Sequence, residues 1–303
     1  MFDIVKNKKI FYIVSVLVIL AGVVSLIVRG GFVPSIDFSG GIECTIETGK
    51  AVDATVTAKI SDVVATSTGI DKKLISVTKI GDGGTQASIK LSATLDVEKE
   101  LALKEALVKE LGVEKSAIAN FESVSASVGK ETQNSAILAV SIAVILMLIY
   151  ITARFEFLSG CAAVCALIHD VLIMLSFYAI AGLPINTSFV AAMLTIVGYS
   201  INATIVQFDR VRENTKLTRK DAFSVIVNKS VWQTMARSLY TTFTTLVVIL
   251  ALYIMGVQSI KEFALPIIVG LVAGTWSSVF LSGNFWVFFK KLSGAKNVMP
   301  NNQ

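Results

Sequence analysis

The chain has 303 residues, of which 54% are hydrophobic and only 16% are charged, and its mean hydropathy is +0.72. Soluble domains are about 45–50% apolar and about 25% charged, so this composition excludes an ordinary soluble enzyme and a disordered scaffold. Three cysteines without C-x-x-C spacing and a single histidine predict neither a disulfide framework nor a metal site. We therefore expect no metal and no cofactor.

The net charge of +5 is unevenly distributed. The segment 34–134 carries 11 basic and 15 acidic residues, a net charge of −4, and the rest of the chain has a net charge of +9. The basic excess lies at the ends of long apolar runs, which is typical of a membrane protein that follows the positive-inside rule. We therefore expect the protein to reside in a lipid bilayer and not to bind nucleic acid.

Six apolar runs are long enough to cross a bilayer, which takes about 20 helical residues. The first covers Ile10–Val28 and is predicted to be an uncleaved anchor, because no small-residue cleavage site follows it. The other five follow the polar segment, and a charged loop is predicted from Asp209 to about Trp232. They are Ser135–Ala153, Phe157–Ile180, Phe189–Phe208, Leu239–Met255 and Leu265–Phe289.

Basic residues are concentrated on one side of these spans, and the short segments on the other side carry only Arg29 and Lys261. This asymmetry predicts that both termini are cytoplasmic. We expect the cytoplasmic amino terminus and first transmembrane helix in 1–33 and an extracytoplasmic domain in 34–134. A five-helix transmembrane bundle with a cytoplasmic carboxyl terminus is expected in 135–303.

The polar segment has the pattern of a small α+β domain. Alternating apolar residues and turn signals predict the order β-α-β-β-α-β, which is typical of a ferredoxin-like fold. This fold hosts many functions, and the segment contains no catalytic constellation. The predicted strands are Gly41–Glu47, Leu74–Ile80, Thr85–Leu91 and Ala117–Ser127, the helices are Asp53–Ser67 and Asp96–Leu111, and a hairpin turn is predicted at Gly81–Gly84.

Two ionisable residues, His169 and Asp170, lie near the middle of the third span. Charges within a bilayer are expensive, so each is a functional candidate by default. Histidine can carry protons at working pH, which favours a proton or ion relay. The alternative is a polar pair that hydrogen-bonds neighbouring helices and fixes their packing.

The segment Gly198–Asn214 resembles the signature of the SecF family, which are membrane subunits of the bacterial protein-export machinery. Four further segments agree with that family in the right order along the chain. They are Ile36–Gly41, which includes Asp37, Gly40 and Gly41, followed by Ala166–Asp170, Gln233–Ser238 and Gly274–Ser278.

The resemblance implies a six-span half of an RND-like transporter in the bacterial inner membrane. It implies SecD, the SecYEG channel and the translocating polypeptide as partners, with SecA and YajC as further candidates. In that family the SecD–SecF pair is thought to use the proton gradient to help complete the transport of secreted chains.

One position departs from the family pattern. The signature usually continues with an aspartate, the supposed proton carrier, where this chain has Ala203. The resemblance also implies that Arg237 works beside a carboxylate, which Ala203 does not supply; simple snorkelling to the interface is the alternative for this side chain. Asn202 and Gln207 can hold water or a cation but cannot cycle protonation.

Three explanations of Ala203 remain open. The protein couples through another acid, either Asp170 or one from SecD; it uses a different ion or none; or the alanine is an engineered substitution. The charged segment with Asp209, Arg210, Arg212 and Glu213 is either a solvated helix start or a contact for the cytoplasmic motor or the channel.

The leading hypothesis is an accessory subunit of protein export that carries out no chemical catalysis. The rivals are half of an RND-type small-molecule exporter and a passive structural assembly factor. The sixth span contains a G-x-x-x-G pair, Gly270 and Gly274, which predicts close helix packing. A role of this pair in the interface with a partner protein is the alternative interpretation.

Overall fold

Two compact units make up the computed structural model of the chain. Residues 2–80, 84–154, 156–218, 221–295 and 298–299 are described. The membrane unit comprises Met1–Phe32, Ala139–Leu183 and Ser188–Gln303, and the sheet unit comprises Val33–Leu138 and Pro184–Thr187. Six helices are long and apolar enough to cross a membrane, which confirms the predicted polytopic helical class.

The first helix, α1 (Lys8–Arg29), ends at Gly30, whose φ of 77° is the left-handed cap conformation that glycine adopts readily. The sheet unit follows along the chain. Its elements are β1 (Val33–Pro34), α2 (Ile36–Ser39), β2 (Gly41–Glu47), α3 (Ala54–Thr68), β3 (Ile75–Ile80), β4 (Gln86–Leu91), α4 (Val97–Leu111) and β5 (Ile118–Val124).

The main sheet has the strand order β3-β4-β2-β5 with every neighbouring pair antiparallel. This order, with one helix after the first strand and one after the third, is the predicted ferredoxin-like arrangement. The hairpin between β3 and β4 is present, with Ile80 opposite Gln86. Most of its predicted turn, 81–83, lies outside the described residues.

An apolar core lies between this sheet and its two helices. Alternate residues of β2, namely Ile42, Cys44 and Ile46, are buried, as expected when successive side chains point to opposite faces. On α4, Leu103 and Leu107 are one turn apart on the buried face. Burial raises the pKa of the Cys44 thiol to about 12, so the thiol stays protonated within this core.

The rest of the chain consists of helices and one short strand. This strand, β6 (Pro184–Ile185), pairs in parallel with β1. The last span contains a π-helical turn at Ser277–Ser282. The elements are α5 (Ala126–Arg154), α6 (Phe157–Ala181), β6 (Pro184–Ile185), α7 (Thr187–Leu217), α8 (Phe223–Met255), α9 (Gln258–Trp276) and α10 (Gly283–Leu292).

The predicted charged loop from Asp209 to about Trp232 is wrong. Helix α7 continues to Leu217 and α8 begins at Phe223, so almost all of this stretch is helical. The cause is amphipathicity, because buried residues at Ile226, Val227, Ser230 and Val231 recur at helical spacing between polar ones. A search for uninterrupted apolar runs misses such helices.

Candidate functional site

Asp170 is the centre of a buried polar cluster in the membrane unit. It lies midway along α6, and only 1% of its surface is exposed. One carboxylate oxygen, Oδ1, lies 3.0 Å from Nδ1 of His169. The other, Oδ2, accepts hydrogen bonds from the hydroxyls of Ser200 at 2.5 Å and Ser277 at 2.8 Å. Three groups therefore contact the oxygens of this carboxyl group.

The cluster continues from His169 to the first helix. Nε2 of His169 lies 2.9 Å from the hydroxyl oxygen of Ser15 on α1, and that oxygen accepts a hydrogen bond from Trp276 Nε1 at 3.1 Å. A neutral imidazole fits if Nδ1–H donates to Asp170 and the Ser15 hydroxyl donates to Nε2. A doubly protonated ring is also compatible with these partners once the Ser15 hydroxyl turns away.

Close helix packing brings these side chains together. A Cβ added at Gly22 of α1 would lie 2.4 Å from Cβ of Ser176, and one added at Gly270 would lie 2.5 Å from the Ile196 side chain. Gly274 packs in the same way against Ser200. The predicted G-x-x-x-G contact is therefore made with α7 of the same chain, and it holds the last span close enough for Ser277 to reach Asp170.

The π-helical turn begins at Ser277 itself. Such a turn widens the helix locally and is found frequently at functional sites. Here it follows directly after Trp276, so the helix departs from regular geometry at the two residues that join the cluster.

A second polar site lies between α7 and α8. It is a pocket of about 70 Å³ that Ala203 and Arg237 line together, so the two residues are neighbours. In the part of the chain that the structure describes, no carboxylate pairs with the exposed Arg237. The complete lining is Tyr199, Asn202, Ala203, Val206, Arg237, Ser238 and Thr241.

Gln207 does not line this pocket, although the helical period predicts that it shares a face with Ala203 and Tyr199. Its side chain is 2% exposed, and its Nε2 lies 2.8 Å from the point that a Cβ on Gly283 would occupy. This Nε2 has no hydrogen-bond partner among the described residues. The packing of α10 against α7 thus separates Gln207 from the other candidates.

The motif residues after the first span have roles in local structure. Oδ2 of Asp37 accepts hydrogen bonds from the backbone N–H and the hydroxyl of Thr187, at 2.8 and 2.7 Å. Since Thr187 is the first residue of α7, this carboxylate caps the positive end of that helix. Gly40 and Gly41 have φ values of 72° and 140° and approach other backbone atoms closely, which excludes a side chain at either position.

The charged segment near the end of α7 contacts the start of α8. The guanidinium of Arg210 donates to Gln233 Oε1 at 2.8 Å and to Glu213 Oε2 at 2.6 Å. Asn214 donates to the same Gln233 oxygen at 2.7 Å. Arg212 is exposed. These contacts make Arg210 part of the interface between two helices, with Glu213 as its ion-pair partner on α7, and Asp209 is an exposed neighbour on the same segment.

Sequence reasoning missed the partners of Asp170. Its serine donors, Ser200 and Ser277, lie 30 and 107 residues from Asp170 in sequence, and Ser15 and Trp276, which extend the cluster from His169, are also distant from it along the chain. The available signal was their position, because each is a polar residue within an otherwise apolar span.

Comparison with known proteins gives consistent results. The family described as "Protein export membrane protein SecD/SecF, C-terminal" matches residues 103–292. The protein translocase subunit SecF of Acidaminococcus fermentans is 38% identical over 297 residues, covering 96% of this chain and 98% of that protein. The protein translocase subunit SecF of Alicyclobacillus acidocaldarius is 35% identical, covering 97% of this chain and 95% of that protein.

A solved structure is similar over nearly the whole chain. The crystal structure of SecDF, a translocon-associated membrane protein from Thermus thermophilus, has a TM-score of 0.85 and 32% identity. The match covers 96% of this chain but 39% of that longer one.

Proposed function

This chain belongs to the SecD/SecF family of protein-export membrane proteins, and we propose that it works as a SecF subunit that pairs with SecD to assist the export of secreted chains. Its match to SecF relatives over almost their full length supports this assignment. Relatives named SecDF, in Bacillus subtilis and Thermus thermophilus, contain a matching region within a longer chain, which supports SecD as the partner. The role is accessory transport without chemical catalysis.

The proposed location is the bacterial inner membrane with both termini in the cytoplasm. The distribution of Lys and Arg supports this orientation, which puts the segment 34–134 on the extracytoplasmic side. SecYEG and the translocating polypeptide are the further proposed partners, with SecA and YajC as candidates on the same basis of family membership.

Ion coupling is proposed to run through Asp170 and His169, since Ala203 cannot carry a proton. The observation that carries this proposal is the cluster itself, in which one buried carboxylate bonds to serines of α7 and of the π-helical turn. Protonation of Asp170 removes the negative charge that holds these hydroxyls, so it weakens contacts among three segments at once. Each charge that crosses 100 mV supplies about 2.3 kcal/mol, so a few protons can drive such a rearrangement.

Export by vesicles that contain SecYEG, SecD and this chain tests the proposal. We expect Asp170→Asn to remove the part of export that responds to a proton gradient and to leave the part that does not. Asp62→Asn, which removes a carboxylate from the exposed ion pair with Lys72 on the sheet unit, is the matched control and should keep the full response. An undiminished gradient response in Asp170→Asn would contradict ion coupling through this cluster.

A passive assembly role is the second candidate. It is favoured by the full set of hydrogen bonds to Asp170, which also serves to fix helix packing. Proton flux through the reconstituted SecD–SecF pair separates the two, because a passive subunit gives the same flux with Asp170 or with Asn at this position.

A further inference from the structure

The pocket between α7 and α8 presents hydrogen-bond donors and a permanent positive charge. Arg237 supplies a guanidinium, which has five N–H donors and stays protonated at physiological pH. Ser238 supplies a hydroxyl and Asn202 an amide. Neither of these two side chains has a hydrogen-bond partner among the residues that the structure describes, so both can donate to a ligand.

The other polar groups of the wall are already engaged. The Thr241 hydroxyl donates to the main-chain carbonyls of Arg237 and Ser238, at 2.9 and 3.0 Å. The Tyr199 hydroxyl lies 3.4 Å from Thr242 Oγ1. No carboxylate is part of the wall. The pocket is therefore electropositive and contains no internal counter-charge.

The size of the pocket suits a small ligand. Its volume is about 70 Å³. Because one water accounts for about 30 Å³ of the liquid, a small inorganic anion fits the space. Ala203 contributes only a methyl group to the wall, and this small side chain leaves the space open.

The position of Arg237 makes a counter-ion favourable. With a rise of 1.5 Å per residue, Arg237 lies about 27 Å along α8 from Met255, close to the hydrocarbon thickness of about 30 Å. It is therefore at one edge of the apolar region, where an aqueous ion can reach it. A guanidinium at this edge can bond to an anion that arrives from the water, and charge-assisted hydrogen bonds are the stronger ones.

We propose that this pocket binds a small monovalent inorganic anion, chloride under cellular conditions, held by Arg237, Ser238 and Asn202. The anion neutralises the guanidinium and joins α7, which carries Asn202, to α8, which carries the other two. This goes beyond the proposed function and does not depend on it, because an anion stabilises these two helices whether or not protons drive export.

Equilibrium binding of radioactive chloride to the purified SecD–SecF complex tests the site. We expect saturable binding that bromide displaces. Arg237→Gln should weaken binding by about tenfold or more, because hydrogen bonds to a charged group are lost. Lys216→Gln removes an equal charge from the last turn of α7, outside the pocket, and should leave binding unchanged.

Two substitutions at one position form a matched pair. Ala203→Asp places a carboxylate in the pocket and should exclude chloride, whereas Ala203→Ser adds a hydroxyl without charge and should retain binding. Chloride binding that survives Arg237→Gln or Ala203→Asp overturns the proposal. The proposal is also overturned if chloride binds to the isolated chain but not to the SecD–SecF complex, because a group of SecD then fills the pocket. Export measured on the same variants reports on the proposed function separately.

Discussion

Each unit of this protein has an apolar core, but the two units differ in the polar groups that they bury. In the sheet unit, the described residues bury no charged side chain, and the core between sheet and helices is apolar. The membrane unit buries the ionisable pair His169 and Asp170, together with the serines that bond to them. Lipid surrounds such a unit, so its apolar side chains do not need the interior to escape water.

The contrast shows that the membrane unit buries a carboxylate that stability alone does not require. A buried carboxylate loses several kcal/mol of hydration, and an apolar residue of similar size often packs equally well. The sheet unit buries no charged side chain among its described residues, and its buried polar side chains carry hydroxyl or amide groups. The membrane unit keeps Asp170 and surrounds it with donors from separate helices, which is the arrangement expected of a working site.

The largest effect is expected from Asp170→Ala. This change leaves His169, Ser200 and Ser277 without their common acceptor, and breaking a buried charge network costs about 3–5 kcal/mol. Thermal unfolding of the purified chain in detergent should show a large loss of stability in the membrane unit. If Asp170→Ala unfolds at the wild-type temperature, the polar cluster does not stabilise the membrane unit, and apolar packing alone holds both units together.

A loss of about 2–5 kcal/mol is expected for Leu107→Ala in the sheet unit, because it leaves a cavity in an apolar core. Hydrogen exchange of the sheet strands in the full chain measures this loss. The control is Leu101→Ala on the same helix, where the leucine is 56% exposed. Equal effects from the two leucines would show that burial does not control stability in this unit.

Gly270→Ala should cost about 1–3 kcal/mol, because the new methyl group meets Ile196 and pushes α9 away from α7. It should also reduce gradient-dependent export, since Ser277 moves away from Asp170. Gly198→Ala is the control, because a Cβ there meets no atom within 4 Å. We expect a lower unfolding temperature and less export for Gly270→Ala than for Gly198→Ala. Equal values for the two variants would show that close packing at Gly270 does not support the polar cluster around Asp170.

The smallest effect concerns the cap of α3. Asp53 accepts a hydrogen bond from the backbone N–H of Val56 at 2.8 Å, and this bond holds the pKa of the Asp53 carboxyl below its usual value. The stabilisation is therefore present above the unfolded-state pKa and is lost as the pH falls through the lower folded-state pKa.

Hydrogen exchange of the α3 amides between about pH 7 and about pH 3 measures this dependence, around the usual Asp value of about 3.9. Asp53→Asn retains a good capping residue and should lose only the pH dependence, whereas Asp53→Ala should lose protection at neutral pH. Acid dependence that persists in Asp53→Asn would assign it to another group.

Much of the fold is predictable because its signals are local. Helix and strand periodicities lie within single segments, so the six spans and the β-α-β-β-α-β order follow from short windows. The partners of Asp170 are not local, since Ser277 is 107 residues away, and its polarity within an apolar span does not say which group it bonds to. The surroundings of the Gln207 side chain are also not predictable from nearby residues, because Gly283, which packs against it, lies on another helix.

Ser15 has a consequence for the order of events during biosynthesis. Its two partners, His169 and Trp276, are 154 and 261 residues further along the chain. When the ribosome has delivered α1 to the bilayer, neither partner exists, and the hydroxyl has only its own helix to bond to. The first helix has α6 to pack against once the third span is made, through Gly22 and Ser25. The hydrogen bond from Trp276 to Ser15 is a contact of α1 that waits until the last span has been made.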